Sequence, residues 1–249
     1  MRKQLITALI GAAFTSASFA ITVEEVIQGY IDNTGGVEAW AALQGMKLQG
    51  EMQQGNMKFP FTVIQLKDGR QATEFEVQGK KLKQQVYDGN VVWSTNFQTM
   101  KAEQASSEDL QNFKNNLNDF PFALFDYKKK GYKVELMGEE KFAGTDTYKV
   151  KVQQEPLTID GKQVDDIVYY YFDKDALVPV GLEGEMKKGP GKGMTMVTQF
   201  SDYQEVEGLV IAYTTKMGVK DSPGMVMTFK AVELNPSVSA DVFAQPKAE

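Results

Sequence analysis

The chain predicts a mainly β fold: antiparallel strands with a cover of short helices. Two blocks of alternating apolar and polar residues, Met46–Phe97 and Tyr132–Leu234, carry that prediction. No long helical stretch separates successive strands within either block, so parallel strands joined by crossover helices are disfavoured. A coiled antiparallel meander fits better, with one sheet drawing strands from both sides of residues 106–130.

The first residues read as an export signal. Arg2 and Lys3 form a basic start, Leu5–Phe14 a short apolar run, and Ser18-Phe19-Ala20 supplies small residues where a signal peptidase reads. Residues 1–20 are therefore expected to be removed, leaving residues 21–249 as a single domain. Thr22 with Glu25 has capping-box spacing, and Val23, Val26, Ile27, Tyr30 and Ile31 recur at helical spacing. Asn33-Thr34-Gly35-Gly36 ends that helix. Val37–Leu43 predicts a second, shorter helix, with Trp40 and Leu43 on one side.

The first strands follow. Met46, Leu48 and Met52 alternate with Lys47, Gln49, Glu51 and Gln53. Gln54-Gly55-Asn56, Lys67-Asp68-Gly69, Gln78-Gly79-Lys80 and Tyr87-Asp88-Gly89-Asn90 mark the turns, since Gly, Asp and Asn tolerate the backbone angles that tight turns need. Ser106 or Ser107 can cap a helix over Glu108–Asn116. Pro121 interrupts it, and a short helix is expected to resume over Phe122–Lys130. The second block then runs through Tyr132–Leu136, Tyr148–Val152, Ile167–Phe172, Leu177–Met186, Met194–Phe200, Leu209–Val219 and Met225–Leu234. Val242 and Phe243 are expected to lie against an open end of the sheet.

Composition narrows the chemistry. The chain has 27 Lys and Arg against 33 Asp and Glu, a net charge of -6, and losing Arg2 and Lys3 makes it more acidic. That balance disfavours nucleic acid as a broad partner. There is no Cys and no His. Disulfides, zinc centres built on His, and Ser-His-Asp catalysis therefore lack their side chains. Three carboxylate pairs are hydrolase or Ca²⁺ candidates: Glu74 with Glu76, Asp165 with Asp166, and Glu183 with Glu185. Such pairs usually form the wet face of a sheet. No catalytic constellation, metal site or cofactor site is expected.

A set of short motifs recurs in order along the chain. They are Glu25-Val26-Ile27-Gln28-Gly29-Tyr30-Ile31 followed by Gly35-Gly36, then Tyr87-Asp88-Gly89 before Trp93, and Asp126-Tyr127 before Lys130-Gly131. Tyr169–Asp173 with Lys174, and Ser201-Asp202-Tyr203 with Val206-Glu207-Gly208, complete the set. This order resembles the periplasmic lipoprotein-carrier superfamily (LolA/LolB-like), and more closely its branch of outer-membrane lipoprotein-sorting proteins. The resemblance implies an incomplete, strongly curved antiparallel β-barrel closed by helices, with an apolar cavity for acyl chains. It implies a periplasmic protein that binds and transports a lipid, or the acyl chains of a lipoprotein, without covalent chemistry. Its partners would be that lipid and a membrane protein of the envelope acting as donor or acceptor. The alternative is a non-transporting envelope interaction or sensing module on the same scaffold.

A curled sheet can hold one apolar ligand where side chains leave room, and Met adapts to irregular apolar shapes. The chain has 12 Met. The candidate ligand-binding residues are therefore Met46, Met52, Phe59, Phe61, Trp93, Met194, Met196, Met225 and Met227, all expected on strands. The helices around Val23–Ile31 and Leu110–Phe125 are expected to cover them.

Overall fold

The computed structural model describes residues 21–246; the expected export segment, residues 1–20, lies outside the described residues. Helix α1 (Val23–Asn33) opens on a complete capping box. The Thr22 amide donates to Glu25 Oε2 at 2.7 Å and the Glu25 amide donates to Thr22 Oγ1 at 3.2 Å. Gly35, at φ +131°, turns the chain into α2 (Gly36–Ala42).

Strands β1 (Gly45–Gln54), β2 (Met57–Leu66), β3 (Gln71–Val77), β4 (Lys80–Tyr87), β5 (Val92–Thr95) and β6 (Ala102–Gln104) form the first meander. Helix α3 (Ser107–Asn115) and a 3-10 turn over Asn116–Asp119 follow. The second block supplies β7 (Lys133–Phe142), β8 (Thr145–Gln153), β9 (Leu157–Ile159), β10 (Lys162–Val164) and β11 (Ile167–Asp173). It ends with β12 (Pro179–Glu185), β13 (Thr195–Val206), β14 (Leu209–Val219) and β15 (Met225–Leu234).

Thirteen strands make one antiparallel sheet in the order β6-β5-β4-β3-β2-β1-β15-β14-β13-β12-β11-β8-β7, and β9 with β10 forms a separate hairpin. The two blocks join where the first strand pairs with the last: β1 lies against β15, with Met46 opposite Leu234.

The structure does not form the expected β-barrel. The sheet is open: β6 and β7 stand at opposite ends of the order and do not pair. Closure would need a ladder between them, and β6 offers only three residues against ten in β7 before the chain turns into α3. The helices cover one face of an open sheet; they do not close a barrel.

The sheet has two distinct faces. On the inner face, α1, α2 and residues 120–132 pack over Met46, Val150, Val152, Phe172 and Leu209. Phe122 anchors the cover, with its ring centroid 4.8 Å from Tyr30 and 5.1 Å from Trp40. The helix expected over Phe122–Lys130 is a run of turns instead. Asp126 takes φ +54°, which breaks a helix, and Lys130 Nζ donates to the Phe122 and Ala123 carbonyls at 3.1 and 3.2 Å. A side chain thus satisfies carbonyls that helical amides would have met. On the outer face, the tail crosses β2–β5. Phe243 is buried with Ile64, Ala72, Val86 and Trp93, on the face of the sheet rather than at its end.

Candidate functional site

Strand registers decide which candidate residues share a face, because directly opposed residues point the same way. Met46, Met52, Phe59 and Phe61 do so on β1 and β2: Met52 faces Phe59, and Gly50 faces Phe61. Across the join, Met52 faces Met227. Met225 faces Met217, Met217 faces Thr198, and Met196 shares the face of Thr198. Seven candidates therefore lie on the inner face, the one that bears the helices.

The other two do not. Trp93 points to the outer face and pairs with Val86. Its indole Nε1 donates to the Phe243 carbonyl at 3.0 Å, so the tail occupies it. Met194 precedes β13 and is half exposed on the loop from β12.

The inner face also holds residues that the sequence reading left out. Phe75 faces Phe61 on one side and Leu82 on the other, while Phe229 faces Gly50. Phe61 lies 5.6 Å from Phe229 and 6.5 Å from Phe75, ring to ring. Period-two alternation could have found Phe75, Leu82 and Met217. Phe229 likewise continues the alternation of Met225 and Met227; the bulge lies beyond it, where the register shifts opposite Gln49 and Gly50 and Lys230 has no partner.

Cover is uneven along this face. The helices bury the end near Met46 and Leu209. Toward the other end of the strands, Met52, Phe59, Met196, Met225 and Met227 are only half-buried. At the Met46 end α3 supplies a further part of the cover, with Phe113 against Tyr87 at 5.1 Å. A polar seam ties α3 to the second block. The Asn112 amide group donates to the Thr158 carbonyl at 2.7 Å and its oxygen accepts from the Thr158 amide at 2.8 Å. Lys188, between β12 and β13, pairs with Glu108 at 2.6 Å and Asp109 at 2.7 Å.

Ionisable groups are sparse under the cover. Burial pushes the phenols of Tyr30, Tyr170 and Tyr203 above their ordinary range, so they stay neutral. Asp119 and Lys130 form the notable half-buried pair, 3.6 Å apart, with Tyr132 and Gln154 donating to the same carboxylate at 2.8 and 3.0 Å. Glu74 and Glu183, from two of the candidate carboxylate pairs, are engaged by neighbouring side chains. Glu74 is bridged to Lys81 at 2.8 Å. Glu183 accepts from Tyr171 Oη at 3.0 Å and is bridged to Lys220 at 3.0 Å. Among the described residues, no cluster of three acidic residues is placed to hold a metal ion.

No family model matches the chain, and no curated protein does. Solved structures do. A domain named for outer membrane lipoprotein sorting, from Vibrio parahaemolyticus, is 16% identical with a TM-score of 0.53, covering 88% of this chain and 94% of its own. A DUF1329 family protein from Desulfovibrio piger is 15% identical with a TM-score of 0.55, covering 90% and 98%. A LolA superfamily protein from Nitrosomonas europaea is 11% identical with a TM-score of 0.51, over 90% and 98%. At these identities the likeness is one of fold. The chain carries the LolA-like fold of the lipoprotein-sorting proteins.

Proposed function

We propose that this protein binds the acyl chains of a lipid or lipoprotein on its inner face and carries them through the periplasm. Residues 1–20 would export it, and residues 21–249 would act as one carrier domain between a donor and an acceptor in the envelope. The observation that supports this most is the half-buried apolar stripe of Met52, Phe59, Met196, Met225 and Met227, which continues past the helices on the face they cover. An acyl chain laid there gains about 0.8 kcal/mol for each CH₂ removed from water, so partial enclosure suffices without a charged anchor. Thioether side chains can repack around chains of different length. No covalent step is involved.

The test is displacement of a fluorescent fatty-acyl probe from the purified protein, together with native mass spectrometry of lipid extracted from it. Saturable displacement and a recurring bound lipid are expected. Folded protein that takes up no probe, carries no lipid and instead co-purifies with a stoichiometric protein partner would overturn carriage in favour of a sensing module.

A further inference from the structure

The antiparallel order brings several turns to one end of the sheet: those around residues 55–58, 78–81, 96–101, 186–194 and 220–224. Four of the large apolar side chains left exposed lie there. Met57 is 58% exposed, Phe97 61%, Met100 42% and Met194 50%. They come from three separate turns, so no single loop conformation accounts for them. Every one of these turns also carries lysine, and Asp221 is their one acid, on a chain whose net charge is -6. Lys80, Lys101 and Lys192 make no salt bridge among the described residues. The other lysines of these turns are paired with acids of the adjoining strands and of α3: Lys58 with Glu51, Lys81 with Glu74, Lys187 with Glu185, Lys188 with Glu108 and Asp109, and Lys220 with Glu183.

We infer that this rim docks on a lipid bilayer, with Met57, Phe97, Met100 and Met194 entering the interface and Lys80, Lys101 and Lys192 meeting anionic headgroups. Exposed apolar tips flanked by cations match the interface in both depth and charge, whereas a soluble protein gains nothing by wetting them. The position has a consequence for exchange. Met52, Phe59, Met225 and Met227 lie within the three residues of their strands nearest these turns, so an acyl chain leaving the bilayer would meet the inner face directly. That purpose rests on the acyl-binding reading; the docking itself does not.

The experiment is flotation of the purified protein with vesicles of phosphatidylethanolamine and phosphatidylglycerol, and in parallel with vesicles of phosphatidylcholine alone. Phe97→Ser with Met100→Ser should lower the bound fraction about tenfold on both kinds of vesicle. Replacing Lys80, Lys101 and Lys192 by Gln should lower binding to the anionic vesicles only. Val37→Ser removes an exposed apolar side chain at the opposite end of the sheet and should change nothing. Circular dichroism and thermal melting confirm that each variant is folded. A folded parent protein that stays unbound, or a Val37→Ser loss equal to that of the Phe97 variant, overturns the rim. Acyl-probe displacement measured without vesicles separates the two readings: uptake with no vesicle binding overturns the rim alone, and Phe97-dependent vesicle binding with no uptake overturns carriage alone.

Discussion

Replacing Lys130 by Met keeps the aliphatic stem and removes the ammonium that holds the cover in shape. Its side chain is 9% exposed, and that of Asp119 is 21% exposed. Burial raises the Asp119 carboxyl above its ordinary value and lowers the Lys130 ammonium below its own, so for both partners desolvation outweighs their attraction. Such a pair adds little net stability, yet breaking it is costly, because one charge stays behind without its partner. Two carbonyls, of Phe122 and Ala123, also lose their donor. Asp119 keeps Tyr132 and Gln154, which moderates the loss. The expected cost is about 2–3 kcal/mol at neutral pH. Its pH dependence has a definite sign. A carboxyl with a raised folded-state pKa favours folding below its ordinary value, and that contribution is lost as pH rises through the folded value. Without Lys130 the folded value rises further, so the variant should be penalised most at neutral pH and least in acid, where Asp119 is protonated. Urea melts of both proteins across that range test this. A loss below about 1 kcal/mol at neutral pH, or one that does not shrink in acid, would refute the reasoning.

At Gly50, a Cβ would meet backbone: the Thr228 carbonyl oxygen, and Phe229 Cα at 2.9 Å. Gly50→Val should therefore cost about 2 kcal/mol or more in a denaturant melt, since neither strand can yield at the bulge. Trp93→Phe removes the hydrogen bond to the Phe243 carbonyl and should cost about 1–2 kcal/mol, speed proteolysis of the tail, and leave acyl-probe affinity unchanged, because Trp93 faces outward. Phe61→Ala empties a site packed by Phe75 and Phe229, and should cost about 3–5 kcal/mol while weakening the probe. Equal effects of the Phe61 and Trp93 changes on probe binding would contradict the assignment of faces.

Local patterns in the chain determined most of the elements. The capping box at Thr22 and Glu25, the Gly-Gly break before α2 and the Asp-Gly turns are short-range signals that hold in the structure, and most of the period-two runs form strands. Absent His and Cys bounded the chemistry before any fold was known. Tertiary structure decided the rest, for reasons of geometry that alternation does not encode. Gln85 takes φ +50° inside β4, and the β3–β4 register shifts there, so Tyr87 comes to the inner face while Val86, and Trp93 opposite it, face outward. One such residue reverses every later side chain, which is why Trp93 was placed with the wrong partners. The run Phe122–Tyr127 has helical spacing, but its rings and the Lys130 amine are satisfied in a run of turns packed on the sheet. Whether the sheet closes depends on its two edge strands finding each other across the whole chain. The three residues of β6 give no ladder long enough for β7, and the sheet stays open.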